Sequence, residues 1–400
     1  MNNILIIGYF FPEPVTNAAS VRMMQLILLF KNQGYTIIFA SAAEKTAYTF
    51  PLKEMDIDEV FIKINDSSFD DFLKKLQPEI VLFDRFFTEE QFGWRVAESC
   101  PEAIRILDTE DLHFLRKERE NKILGKEENH DIAIREIAAI YRCDISLIIS
   151  EYEINVLKNH YQIDDLLLFY LPLLSTNFTE NIPLFEERTH FVFIGNFKHQ
   201  PNADAVLYLK ETIWDAISKQ LPQAQLHIYG AYAPEKIKQL HNPKQHFYIN
   251  GWVENIEEVY KKAKVLLAPL RFGAGLKGKI IDAMQFGTPF VTTAFGAEGI
   301  VKGSDNSDFI ADHPNEFSKK AITLYTEKTA WLATQEKGFE VLKARFSKEA
   351  FENHFFRKIQ TLQKDLAKHR KRNFIGQILM HHTLQSTKYL SKWIEEKNKA

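Results

Sequence analysis

Residues 268–293 read APLRFGAGLKGKIIDAMQFGTPFVTT, and the order of residue types in this stretch decides the fold. The apolar run at 265–270 has the length and composition of a buried strand. Gly273, Gly275 and Gly278 then break the chain into a loop, and the spacing of Ile280, Ile281, Ala283 and Met284 starts a helix close to Gly278. A second short strand at 290–293 follows Gly287 and Pro289. Strand, glycine loop, helix and strand make one unit of a parallel sheet. Glycines let the backbone approach a ligand and point successive amides at it, and a helix start adds partial positive charge. Arg271, Lys277 and Lys279 bring full charges to the same loop, which suits a diphosphate and its neutralisation as a leaving group. Asp282, one helical step beyond Lys279, is placed to accept hydrogen bonds from ribose hydroxyls. The competing reading is an ordinary strand-to-helix turn in which Lys279 and Asp282 form a surface pair.

The same alternation runs outward from this unit. Strands are expected at 190–195, 226–230, 246–251 and 265–270 before the one at 290–293, with helices such as 202–219 and 255–263 between them. Toward the N-terminus, strands are expected at 4–7, 36–40, 80–84, 104–108 and 145–150, with helices at 18–33, closed by Gly34, and at 88–99. The pattern predicts an α/β chain of two doubly wound, Rossmann-like domains. Between the two series, 171–183 holds Pro172, Pro183 and a Ser-Thr-Asn stretch with no periodicity, so the hinge is placed there. The expected division is an N-terminal domain at 1–172, a hinge at 173–186, a C-terminal domain at 187–345, and C-terminal helices at 346–400 that cross back to the first domain.

A chain of 400 residues with 45% apolar content exceeds one ordinary core, which agrees with two domains and a cleft. A formal charge of −3 gives no global field for nucleic acid, so an anionic ligand must be held by a local group of cations. Cys100 and Cys143 are too few for a disulfide framework or a zinc site. The opening MNNILIIG lacks a basic leader, and no apolar stretch reaches the roughly 20 residues that span a bilayer. A cytoplasmic location, or the inner face of the cytoplasmic membrane, is therefore expected. The loop at 8–16 lacks the three-glycine fingerprint of a nicotinamide site. The pairs Asp70-Asp71 and Asp164-Asp165 lie outside the apolar-strand setting of a metal motif, so no metal and no bound cofactor are expected.

The stretch at 268–279 resembles the signature of the group 1 glycosyltransferases, the large GT-B group related to glycogen synthases. FIGNFKHQPNADAV at 193–206, IYGAY at 228–232, GWVEN at 251–255 and GAEG at 296–299 match the same subset in order. The N-terminal half is similar more loosely, through GYFFP at 8–12, SVRM at 20–23, DTEDLH at 108–113 and SEYE at 150–153. The resemblance implies GT-B architecture, with 1–172 on the acceptor side and 187–345 binding the donor across a cleft. It implies retaining transfer of a sugar from a nucleoside diphosphate sugar, the only co-substrate, to a hydroxyl of a glycan, lipid-linked or small acceptor. The setting it implies is cell-surface glycan or glycoconjugate assembly.

Particular residues inherit roles from this resemblance. Many members carry two acidic residues eight positions apart, the second of which falls on Asp282 and the first on Ala274. The sugar contact then has to come from the amides of Gly273, Ala274 and Gly275, with Leu276 beside them, or from elsewhere. A basic residue usual after the first strand of the donor domain is replaced by Asn196, leaving Lys198 and His199 as candidates. Gly230, Trp252 and Val253 are assigned to the nucleobase side, and Glu298 either binds hydroxyls or caps its loop. On the acceptor side Glu110 stands where a histidine is common, Asp111 keeps the family's aspartate, and His113 follows. These three, with Lys279, form the candidate catalytic set, the diphosphate itself helping to deprotonate the acceptor. Arg22 either reaches a phosphate or is solvated, and Asp84 and Arg85 either meet the acceptor or, for Asp84, cap a turn. The run KHRKR at 368–372, followed by Phe374, Ile375, Ile378, Leu379, Leu390, Trp393 and Ile394, either lies on an anionic membrane or packs across the domain junction. Two other functions fit the same fold: a nucleotide-sugar epimerase, and a non-catalytic nucleotide-sugar-binding subunit suggested by Ala274.

Overall fold

Ile4, Leu5, Ile6 and Ile7 are all fully buried, as a strand must be when helices cover both faces of a parallel sheet. They belong to β1 (Asn3–Gly8), which a computed structural model places at the centre of the N-terminal domain. The structure describes residues 2–127, 130–175, 181–301, 309–381, 389–390, 393–394 and 397. Around β1 lie β2 (Thr36–Ser41), β3 (Asp58–Phe61), β4 (Ile80–Asp84), β5 (Ile104–Asp108), β6 (Ile145–Ile148) and β7 (Leu168–Tyr170). They form one parallel sheet in the order β3-β2-β1-β4-β5-β6-β7. The second sheet holds β8 (Thr189–Ile194), β9 (Leu226–Tyr229), β10 (Phe247–Gly251), β11 (Ala263–Ala268) and β12 (Phe290–Thr292) in the parallel order β10-β9-β8-β11-β12. Each sheet reverses its winding beside its first strand, between β1 and β4 and between β8 and β11. Ligands of such sheets bind outside the carboxyl ends of the strands at that reversal.

The helix Lys348–Arg372 lies against the first sheet, where Phe355, Phe356, Ile359, Leu362 and Leu366 join Ile4, Ile6 and Phe30 in one core. Phe30 meets Phe355 and Phe356 edge to face at 5.7 and 5.5 Å between centroids.

Several boundaries differ from expectation for local reasons. β3 and β7 were not expected; they are the edge strands of the first sheet and only four and three residues long, β3 having no long apolar run and β7 lying within the apolar stretch 166–171. β6 stops at Ile148, two residues early, because Ser150 turns to cap the helix Glu151–Asn159 and accepts from the Tyr152 amide at 3.2 Å. β11 ends at Ala268 because Pro269 has no N–H for a ladder. The basic run at 368–372 is not one solvated face: it is the last turn of Lys348–Arg372, where Arg370 binds both carboxylate oxygens of Asp144 and His369 is buried against the Asp144 carbonyl. Residues 176–180 of the expected hinge, and most of the tail beyond 381, lie outside the described residues.

Candidate functional site

On the C-terminal side, the loop after β11 and the loop after β8 meet at the point where the sheet reverses. The helix Gly278–Gln285 starts there with Lys277 as its N-cap residue and no side chain capping it, so its first amides are left for another partner. The Lys279 ammonium donates to Asn202 Oδ1 and stands 5.0 Å from the centroid of the Phe193 ring. Burial, with Lys277 adding repulsion, pushes Lys279 down to about 7, and burial pushes Asp282 up to about 7 against the pull of Lys279. Lys277 is buried, donates to the Gly275 carbonyl at 2.8 Å, and is lowered by desolvation while Glu298 and Glu153 oppose the shift. Two adjacent ammonium groups with depressed pKa values make a site that an anion would relieve.

This helix start faces its counterpart in the other domain. A Cβ on Gly278 would lie 3.0 Å from Ala18 Cβ, at the first residue of the helix Ala18–Asn32. Two helix N-termini, one from each domain, therefore abut across the cleft, and their partial positive charges add.

The N-terminal side is acidic. Asp84 and Asp108 are register partners at the ends of β4 and β5. Asp108 is gripped by Arg22, whose Nε lies 2.9 Å and Nη2 2.7 Å from Oδ1, while Arg22 Nη1 donates to the Leu171 carbonyl at 2.7 Å. Arg22 is thus neither solvated nor available to a phosphate, and both sequence readings of it are corrected: it is a buried tie between a helix, β5 and the end of the domain. Asp84 accepts from the Tyr9 amide at 2.9 Å and leaves Oδ1 without a partner. The Arg85 guanidinium lies over the rings of Tyr9 and Phe10 at 5.3 and 5.2 Å.

Glu110 follows in a left-handed backbone conformation, φ 62°, with Oε1 buried and unpartnered. Burial first, then Asp108, lifts its carboxyl well above the usual glutamate range. Asp111 differs: burial pulls it up, but Arg116 and His113 outweigh this and hold it well below the usual range. His113 opens the helix His113–Leu124, packs edge-on against Phe86 and Phe87, and puts Nε2 3.5 Å from Asp111 Oδ1. Burial drives His113 down to about 3, and burial together with Arg116 drives His199, facing it from the other domain, to about 3. Both imidazoles are neutral at pH 7.

The domains are held closed around this site by polar bonds. Arg119 donates to both carboxylate oxygens of Glu298, at 2.7 and 2.8 Å, and to the Gly273 carbonyl at 2.7 Å. Glu153 accepts the Gly275 amide at 2.8 Å. Asn196 donates to the Thr16 carbonyl at 3.1 Å, Trp252 to the Val15 carbonyl at 3.2 Å, and Tyr232 to Glu13 at 3.1 Å.

The sequence candidates therefore separate into groups. Glu110, Asp111, His113, His199, Gly273, Gly275, Lys277, Lys279 and Asp282 line or border the cleft. Arg271 does not join the lysines: its guanidinium is bound bidentately to Asp204 and lies over Tyr208 near the surface. Lys198 sits over the Tyr232 ring at 3.7 Å, and Trp252 is 38% exposed beside Tyr48. The Gly230 amide donates to the Gly251 carbonyl within the sheet, Leu276 belongs to the C-terminal core, and Val253 packs at its edge. Ala274 is buried in the N-terminal domain's core cluster, and the Gly275 amide is already bound by Glu153, so that amide is not open to a sugar. Glu298 neither caps its loop nor stands free, being held by Arg119. Glu153, Arg119, Arg116 and Glu13 were missed as cleft residues. Only Glu153 carried a signal, the Ser-x-x-Glu spacing of a helix start at 150–153. Among the described residues no group of three His, Cys, Asp or Glu side chains is disposed to hold a metal ion, and no helix is long and apolar enough to cross a membrane.

Comparison with known proteins places this geometry. Residues 188–327 match the family of glycosyl transferases described as group 1. No curated protein sequence matches the chain. Sucrose-phosphate synthase from Thermosynechococcus elongatus shares 14% identity and a TM-score of 0.67 over 90% of this chain and 99% of that one. TarM of S. aureus, solved as a point mutant in complex with fondaparinux, alpha-GlcNAc-glycerol and UDP, shares 11% identity and a TM-score of 0.68 over 91% of this chain and 100% of its own. Anabaena Alr3699/HepE, solved with UDP and glucose, shares 12% identity and a TM-score of 0.65 over 90% of this chain and 100% of its own. At such identities the likeness shows the fold, which is GT-B.

Proposed function

We propose that this chain, whose C-terminal domain belongs to the group 1 glycosyltransferases over residues 188–327, transfers a sugar from a nucleoside diphosphate sugar to a hydroxyl acceptor with retention of configuration. The observation that carries the reading is the uncapped start of Gly278–Gln285, with Lys277 and Lys279 beside it, set against Glu110, which is buried, and Asp111 and His113 across the cleft. The diphosphate lies at the helix start, where Lys277 and Lys279 stabilise the charge that develops as the glycosidic bond breaks. Asp282 takes the ribose hydroxyls. Asp111 and His113 orient the acceptor hydroxyl, and the departing phosphate takes its proton. Because two lysines and a helix start supply the countercharge, the reaction needs no metal.

The acceptor belongs to cell-surface glycan or glycoconjugate assembly, and we place the enzyme in the cytoplasm with its C-terminal helices against the inner membrane face. Support for that placement comes from the helix Phe374–Met380, which Asn373 pins to the Tyr141 carbonyl at 2.7 Å while Phe374, Ile375 and Ile378 stay 67, 50 and 56% exposed. Co-sedimentation with lipid vesicles tests it.

The reaction is tested by following nucleoside diphosphate release from UDP-, GDP-, ADP- and dTDP-sugars with hydroxyl acceptors, in EDTA. Acceptor-dependent release from one donor is expected, with Lys279→Ala lowering kcat/KM on the order of 10²-fold. Conversion of donor to an epimer without acceptor would establish the epimerase instead, and equal weak nucleotide binding by wild type and Lys279→Ala would favour a non-catalytic subunit.

A further inference from the structure

Glu153 is the third residue of the helix Glu151–Asn159, after the N-cap Ser150. In a Ser-x-x-Glu helix start the glutamate ordinarily folds back onto the N-cap amide. Here Glu153 reaches out of its helix: Oε1 accepts the Leu112 amide at 2.9 Å and the Gly275 amide at 2.8 Å. One oxygen thus joins the loop carrying Asp111 to the glycine loop beside the lysines. The other, Oε2, is buried and has no partner, although Glu153 is 0% exposed. An orphaned carboxylate oxygen in a closed site is costly unless a donor completes it.

The surroundings restrict what that donor is. Gly275 has φ 63°, and a Cβ there would lie 2.7 Å from Asp111 Cβ, so the two loops are in contact and leave no room for a side chain at 275. Ala274 is buried in the N-terminal core, so a carboxylate cannot be offered from 274 without displacing apolar contacts. Glu153 is raised to about 7, chiefly by burial and then by Asp111, which shows how closely it faces the acidic side of the cleft, while Lys277 acts on it from the donor side. A group that fits an acceptor oxygen between a diphosphate site and an acceptor loop is a neutral hydroxyl.

Resting on the donor site described above, we propose that Glu153 of the N-terminal domain reads a hydroxyl of the donor sugar through its free Oε2, while its bound Oε1 fixes the glycine loop. The sugar contact that Ala274 cannot make is then supplied from the opposite domain, and only when the cleft is closed. Donor recognition and closure become one event.

The test compares a nucleoside diphosphate with its sugar, the pair being whichever of the UDP, GDP, ADP and dTDP series gives the largest thermal shift of the wild type. Glu153→Gln keeps the shape and one oxygen for the Leu112 and Gly275 amides but replaces Oε2 by a donor. Calorimetry is expected to show diphosphate affinity unchanged within about twofold and nucleotide-sugar affinity lower by about tenfold or more. If the glutamine variant does not fold, the wild type is tested against deoxy analogues of the same nucleotide sugar, one of which is expected to bind about tenfold more weakly than the parent; equal affinity for all of them overturns the proposal. Equal losses for both ligands would mean that Glu153 only shapes the loop, and unchanged affinity for both would mean that it reads nothing; either overturns the proposal while leaving the donor site standing. A wild type that binds no nucleotide or nucleotide sugar removes the donor site itself.

Discussion

Lys279 and Asp282 sit three residues apart on one helix with pKa values of about 7 each, the lysine far below its ordinary value and the aspartate far above. The sign of the consequence follows from Lys279. Above about pH 7 the free protein has lost that proton, a diphosphate placed beside the amine raises the pKa again, and binding must take a proton up. Calorimetry of diphosphate binding at pH 8 in buffers of different ionisation heat should show uptake approaching one proton, with affinity falling as pH rises from 7 to 9. Lys279→Arg stays charged throughout and should abolish the uptake; no uptake by wild type would place the diphosphate elsewhere. The sequence pointed to these two residues because cations and an acid follow a glycine loop there at helical spacing. Arg119 was not legible, because a charge on an amphipathic helix reads as solvated until the partner domain is present, and Glu153 showed only the Ser-x-x-Glu spacing of a helix start. Glu110 was visible as a residue, but its left-handed backbone and orphaned carboxyl arise from packing.

At the level of elements, the inner strands β1, β4 and β11 announced themselves as apolar runs because both faces are covered. The first sheet's edge strands β3 and β7 stayed hidden, whereas the second sheet's edge strands β10 and β12 were expected. The C-terminal helices show a similar limit: the sequence displayed a basic run and an apolar run, but not that Arg370 and His369 turn inward onto Asp144. What remains outside is Lys368, Lys371 and Arg372 next to the exposed Phe374, Ile375 and Ile378. Such a surface binds anionic bilayers through both charge and insertion. Sedimentation with phosphatidylglycerol-containing vesicles should carry the protein down, pure phosphatidylcholine should carry much less, and the double variant Phe374→Ser, Ile378→Ser should weaken partitioning by about tenfold. Equal recovery in the supernatant with and without anionic vesicles would contradict the placement.

Across the whole molecule, two sheets that reverse beside their first strands put two sets of loops face to face; periodicity foresaw the two doubly wound domains, and the family resemblance implied their GT-B arrangement. Neither could foresee how the faces are joined. The bonds Arg119–Glu298, Glu153–Gly275, Asn196–Thr16 and Trp252–Val15 link residues more than a hundred positions apart and leave no local trace. Closure brings the helix starts at Ala18 and Gly278 together, and the chemistry assigned to the chain depends on an anion beside the Gly278 helix start. The most direct measurement is a crystal structure of the protein with a bound nucleoside diphosphate. The phosphates should lie within hydrogen-bond distance of Lys279 Nζ and of the amides that open the Gly278–Gln285 helix. A diphosphate ordered anywhere else, with that helix start unchanged, would contradict the account.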